Sequence, residues 1–258
     1  MTRNNKVLVS FKDVSLGYGK RIILEDLNLE ISQGDFLGII GPNGSGKTTL
    51  LNSILGIFKP ITGTIKSPPS GIRFGYVIQR QFIDDIFPLT AKEIVSMGRY
   101  GLVGPFKRFR KNDWMHVEGA MEIAGISGIG TQSYHNLSGG QKQRVLIARA
   151  IASEANILIL DEPTNDMDIK GEAQIMELIK KIHAERDVTV VIVSHLLHNI
   201  INYVDTLAFI KDARLIIQPI NDAVSGGCLS NIFDCSVNVG QISGKKVIVY
   251  GNSNNRDV

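Results

Sequence analysis

Two glycine-rich turns, far apart in the chain, hold the residues with the clearest chemistry. The first is Gly41-Pro42-Asn43-Gly44-Ser45-Gly46-Lys47-Thr48, which fits G-x-x-x-x-G-K-[ST] in full and continues into Thr49. Glycines let such a turn curl until successive backbone N–H groups face phosphate oxygens, and the following helix adds its positive end. Lys47 supplies a point charge for the outer phosphates, and Thr48 offers a hydroxyl to Mg²⁺. A plain strand-to-helix turn is the alternative. The apolar run FLGII before the turn and the apolar helix pattern after it are the context a phosphate loop requires.

The second turn is Leu137-Ser138-Gly139-Gly140-Gln141, which also opens a helix and so forms a second anion-friendly site. Between the turns and beyond them lie the acids. The apolar run ILIL delivers Asp161, placed to hold Mg²⁺, and then Glu162, placed to orient or deprotonate an attacking water. Two acids after a strand could merely start a helix; the phosphate loop upstream favours the catalytic reading. His195 ends the strand pattern VTVVIVSH, where it could contact a γ-phosphate or simply be a satisfied loop histidine. His195 and His198 have an H-x-x-H spacing, but no third ligand is suggested, so zinc is discounted.

The elements that must position these groups alternate. VLVSF, RIILEDLNLEIS and FLGII read as strands, with TGTIKS and IRFGYVI after the first helix. From about Gln79 to Ala152 the pattern turns helical: Thr90-Ala-Lys-Glu93 has capping-box spacing, KNDWMHVEGAMEIAG has an acidic start and a glycine stop, and GGQKQRVLIARAIAS follows. Strand and helix then alternate again through NILILDE, EAQIMELIKKIHAE and VTVVIVSH. The expected fold is α/β, with parallel central strands and an inserted helical subdomain. The tail CLSNIFDCSVNVGQISGKKVIVY reads as a helix and a hairpin, and GNSNNRDV as disordered.

Composition sets the outer bounds. In 258 residues, 43% are hydrophobic and 21% charged, the balance of a globular protein with a full core. Twenty-eight basic against 25 acidic residues give a net charge of +3, so no polyanion partner such as nucleic acid is implied. The N-terminal MTRNNKVLVSFKD lacks the apolar stretch of a secretory signal, and Cys228 and Cys235 read as reduced thiols. The most apolar window, Val188 to Ile210, is interrupted by Ser194, His195, His198, Asn199, Asn202 and Asp205, which argues against a membrane span.

LSGGQ between a phosphate loop and ILILDEPT resembles the signature of ABC-type ATPases, and the likeness runs over residues 6 to 222 with six motifs in order. It implies a P-loop cassette of ABC type: a mixed sheet, an antiparallel N-terminal β subdomain and the helical insert at about 80–152. The cassette would fill residues 1–222, with a small C-terminal extension over 223–258. In that family Tyr18 matches the aromatic that stacks on adenine. Gln79 matches the glutamine linking the γ-phosphate and its Mg²⁺ to the membrane partner. Asp168 in TNDMD matches the D-loop aspartate at the dimer contact, and His195 the switch histidine. Two cassettes close head to tail over two ATPs, so Ser138, Gly139, Gly140 and Gln141 would bind the γ-phosphate held by a second copy. Three positions depart from the pattern: Met167 where leucine is usual, Leu196 where an aspartate is common, and Ile78 where proline is frequent. None removes a catalytic group.

YVIQRQFIDDIFPLTAKEIVSMGRYG, then FKRFRKND, resembles ATPase subunits of bacterial importers for zinc, manganese or iron, as does the tail. The implied partners are a second copy, integral permease subunits and, indirectly, an extracytoplasmic binding protein, with the chain on the cytoplasmic face of the membrane. Importers of siderophores and other metal chelates share much of the same pattern. Among other classes, DNA clamps carry a long coiled coil where only 91 positions separate Lys47 from Ser138 here. Ribosome-acting cassette proteins usually carry two cassettes, and a small-molecule kinase has no use for LSGGQ. The basic cluster Lys107, Arg108, Arg110 and Lys111 reads as a solvated loop, or as a contact for a membrane partner or anionic lipid.

Overall fold

The computed structural model describes residues 6–66, 71–78, 88–225, 227–233 and 235–251. They divide into two units, one built from 1–67 with 193–258 and the other from 68–192.

In the first unit β1 (Val7–Tyr18) pairs antiparallel with β2 (Arg21–Ser32) and with β4 (Thr62–Lys66). Leu27, Leu29 and Ile31 alternate toward the interior, but Leu24 is out of phase with them. The backbone restores its burial with a bulge at Asp26, φ 52°, where the register against β1 shifts between Val14 and Leu16. Beside this antiparallel sheet, β3 (Phe36–Ile40) is buried at every residue and runs parallel to β8 (Thr206–Lys211), which pairs antiparallel with β9 (Arg214–Pro219). The sheet is therefore mixed. A strand with no exposed face has no polar alternation to display, which is why FLGII reads as a continuous apolar run. Gly38 in β3 is dictated by packing: a Cβ there would lie 2.7 Å from Ile200 Cδ1.

Helix α1 (Lys47–Ile54) follows β3. The short α7 (Leu197–Ile200) follows β7, and α8 (Ile220–Ser225) follows β9. The C-terminal segment comprises α9 (Cys228–Phe233) and the hairpin of β10 (Ser236–Ile242) with β11 (Lys245–Gly251). It is tied down by reciprocal bonds, Asn202 Nδ2 to Lys246 O at 3.0 Å and Lys246 N to Asn202 Oδ1 at 2.7 Å. Phe233 adds edge-to-face contacts with Phe209 and Tyr250. The segment GNSNNRDV, expected to be disordered, lies outside the described residues from Asn252 onward.

In the second unit β5 (Phe74–Val77) runs parallel to β6 (Ile157–Asp161), and β7 (Thr189–Ser194) starts here, fully buried. The helices are α2 (Ala91–Ser96), α3 (Tyr100–Val103), α4 (Lys111–Ile123), α5 (Gly139–Ala152) and α6 (Ile169–Arg186). Helix α5 packs against α2 and α4 and buries Val145, Leu146, Ile147 and Ala148 completely. The capping box at Thr90 closes in both directions, with Glu93 N donating to Thr90 Oγ1 and Thr90 N to Glu93 Oε2.

A charge cluster centred on the buried Arg99 links parts of this unit. Arg99, 4% exposed, donates to Glu154 Oε1 at 2.8 Å, Ala152 O at 3.0 Å and Asp113 Oδ1 at 3.0 Å. Arg73 adds a bond to Glu154 Oε2, and His116 Nε2 lies 3.2 Å from Glu154 Oε1. The Arg99 guanidinium holds the Glu154 carboxyl below its ordinary range. Asp113 is lowered as well, first by the Arg110 backbone N–H and then by Arg99. Among the described residues no helix is long and apolar enough to cross a membrane.

Candidate functional site

The phosphate loop joins β3 to α1, and its glycines are set by geometry. Gly44 has φ 79° and Gly46 φ 103°, the left-handed region that side chains avoid. At Gly46 a Cβ would also lie 2.8 Å from Ile23 Cγ2, and at Gly41 it would meet Ser45 Oγ at 2.6 Å. Lys47 is buried, and its Nζ donates to the carbonyls of Gly41 at 2.8 Å and Pro42 at 3.0 Å, so the ammonium is held across the loop mouth. Pro42, Asn43 and Gly44 are exposed. Thr48 is exposed too, with its hydroxyl at the first turn of α1, whereas Thr49 is buried and faces the core. No side chain caps α1 at Gly46.

A cavity of about 430 Å³ lies against Gly41–Ser45. Its far wall includes Ile210 and, from the C-terminal segment, Ile232 and Phe233. Tyr18 ends β1, 57% exposed, with its ring centroid 4.9 Å from that of Phe58. The two rings are tilted at 59°. His195 follows β7 and is half-buried. The turn after it is fixed by Ser194, whose Oγ accepts from Leu196 N at 3.0 Å. Leucine at 196 offers no side-chain cap to α7, and the Ser194 hydroxyl binds the amide of Leu196 itself and not those of the helix's first turn.

In the second unit β6 ends at Asp161, half-buried, and Glu162 follows in the left-handed region at φ 49°. Tyr76 Oη lies 3.5 Å from Asp161 Oδ2, and its phenol is pushed up to about 12, by burial first and then by the Asp161 charge. Tyr76 therefore stays a neutral donor toward the carboxylate at working pH. Sequence reading missed this residue. The only signal for it was a tyrosine inside an otherwise apolar strand, whose hydroxyl needs a partner. Asp168 N-caps α6: its Oδ1 accepts from Gly171 N at 2.8 Å, and the residue remains exposed.

Ser138 N-caps α5 in the same unit. Its Oγ accepts from Gln141 N at 3.3 Å, and Gln141 Oε1 accepts from Ser138 N at 2.9 Å. The signature turn is thus a closed capping box, with Ser138 exposed and open space where a Cβ would stand at Gly140. Tyr18, Gly41–Thr49 and His195 belong to the first unit; Asp161, Glu162, Asp168 and Ser138–Gln141 belong to the second. Gln79 lies outside the described residues.

Comparison with known proteins gives one family and a group of relatives. A family model described as ABC transporter matches residues 24–165. The zinc import ATP-binding protein ZnuC 2 of Aliivibrio fischeri is 36% identical over 199 residues, 77% of each chain. The manganese transport system ATP-binding protein MntB of Bacillus subtilis is 35% identical over 216 residues, 82% of this chain and 86% of its own. Among solved structures, an inward-facing ABC transporter assigned to the metal-chelate type superposes with a TM-score of 0.85. It is 26% identical and covers 95% of this chain and 97% of its own.

Proposed function

The chain belongs to the ABC transporter family and is one of its ATPases, and on that premise we propose that it energises import of a divalent metal ion: zinc, manganese or iron. The observation that carries this reading is the breadth of likeness to a zinc and a manganese ATP-binding subunit, about four fifths of each chain at 35–36% identity. A second reading, uptake of a metal chelate, is favoured by the likeness to the metal-chelate type transporter, which covers 95% of the chain.

In this reading residues 1–222 form the cassette, with the helical insert at about 80–152, and 223–258 an appended extension. Tyr18 stacks on adenine, and Gly41–Thr49 wrap the phosphates, with Lys47 leaving its carbonyl partners for the outer phosphate oxygens. The exposed Thr48 hydroxyl, the Asp161 carboxylate and Gln79 are the groups that would hold Mg²⁺, which neutralises charge on the phosphates. A hard oxygen set of this kind fits that ion, and Tyr76 would keep Asp161 aimed. Glu162 orients and deprotonates the attacking water, and His195 contacts the γ-phosphate.

Ser138–Gln141 meet the γ-phosphate of a second copy, and Asp168 lies at the contact between the copies. Closure on ATP and opening after hydrolysis drive permease subunits, which receive the ion from an extracytoplasmic binding protein on the opposite side of the membrane. The chain would sit on the cytoplasmic face through those subunits. Deleting it in its host and following radioactive zinc, manganese, iron and ferric-chelate uptake tests the reading. Loss of one free-ion uptake, restored by the wild-type chain and not by Glu162→Gln, is expected. Loss of chelate uptake alone would favour the second reading, and unchanged uptake of all four would refute both.

A further inference from the structure

From the surface of the second unit we propose that the loop between α3 and α4 binds the anionic headgroups of membrane phospholipids. The loop reads Gly104-Pro-Phe-Lys-Arg-Phe-Arg-Lys111 and gathers four of the chain's 28 basic residues into five consecutive positions with no acid among them. Phe106 is fully exposed, at 106%, and held at φ 63° next to Gly104 at φ 84°. A bulky aromatic pushed wholly into water bears a cost that an apolar environment outside the protein would offset. Lys107, Arg108, Arg110 and Lys111 are all exposed, and among the described residues their side chains meet no carboxylate. The acid nearest in sequence, Asp113, is already engaged by Arg99 and by the Arg110 N–H.

A cavity of about 690 Å³ opens beside the loop, lined by Leu102 and Val103, by Lys107, Arg108 and Arg110, and by Asn112 and Asp113, the one acid of the lining and already paired with Arg99. Apolar and cationic walls together suit a phosphodiester with the start of its acyl chains. Beside the loop Tyr100 and Phe109 meet edge-to-face at 5.6 Å and Phe109 and Trp114 meet tilted at 5.2 Å, with Tyr100 and Trp114 still exposed. Aromatic rings and cations on one surface are the composition of an interfacial anchor. Charge complementarity selects the occupant: an anionic leaflet attracts each such cation, while a neutral one does not.

The test is flotation of the full chain with vesicles of phosphatidylcholine alone and with a third of phosphatidylglycerol, at low and high salt. Salt-sensitive binding to the anionic vesicles only is expected. Lys107→Ala with Arg108→Ala should weaken it about twentyfold, and Phe106→Ala about tenfold, with ATPase activity unchanged. Lys170→Ala with Lys245→Ala, on other surfaces, should leave binding intact. Equal loss in that control, binding to neutral vesicles, or unchanged flotation of the loop variants would overturn the proposal. Displacement by inorganic phosphate at matched ionic strength would assign the site to free phosphate instead. Loss of permease capture by the loop variants without any vesicle binding would assign it to a protein.

Discussion

The two glycine-rich turns both open helices, yet they are built on opposite principles. At Gly41–Lys47 the backbone is forced through two positive-φ glycines, the helix has no side-chain cap, and a buried lysine bridges two carbonyls of the loop. At Ser138–Gln141 the capping box satisfies its own amides, and no glycine of the turn has positive φ. It is a finished helix start that leaves room at Gly140 for something to approach. On the proposed reading the first turn would wrap a phosphate and the second would be pressed against one brought by a second copy.

Breaking the first turn should have the largest effect. Lys47→Ala removes the charge that faces the phosphates, and ATPase activity should fall roughly a thousandfold with little change in melting temperature. Mixing that chain with a Ser138→Arg chain tests whether the turns work across copies. Each alone should be inactive, and the mixture should recover a fraction of wild-type activity from one intact pair of turns per heterodimer. Full recovery would break the cross-copy pairing.

Next comes the fold on which the second turn rests. Arg99→Leu empties the cation from the cluster that joins α4 to the end of α5, and should destabilise the protein by about 3 kcal/mol in denaturant unfolding. Its pH dependence has a definite sign. Glu154 and Asp113 titrate below their ordinary values in the folded protein. Their contribution is therefore complete above the ordinary carboxylate range and lost as pH falls through the lowered values. In Arg99→Leu the acid limb of the stability profile should flatten; an unchanged limb would remove this cluster as its cause.

Smaller effects sharpen the contrast. Ser138→Ala deletes the cap and should cost about 1 kcal/mol, but on the proposed reading, in which the hydroxyl also meets a phosphate, its activity loss should exceed what unfolding explains. Tyr76→Phe should be mildest. The bond to Asp161 is long at 3.5 Å, so a loss of roughly twofold to fivefold in Mg²⁺-dependent activity is expected, with ATP affinity unchanged. A change in ATP affinity alone would show that the tyrosine does not act through Asp161.

Most of the site was legible because its residues are local in sequence. The phosphate loop, the Asp161–Glu162 pair, the capping boxes at Thr90 and the signature turn each lie within a few residues, where spacing fixes geometry. Leu24 was less legible. Strict alternation leaves it on the wrong face, and only the bulge at Asp26 returns it to the core. Phe106 had no signal at all, since an aromatic residue in sequence does not announce whether it is buried.

By itself the sequence determined the phosphate chemistry, the two kinds of turn and the resemblance that the comparisons bear out, because each depends on residues adjacent along the chain. Tertiary structure alone decided which distant groups meet. Tyr76 reaches Asp161 across 85 residues, Arg99 reaches Glu154 across 55, and Asn202 holds Lys246 across 44. Such pairs are fixed by strand register and helix packing, and a polar group that loses water finds its partner only after those have formed.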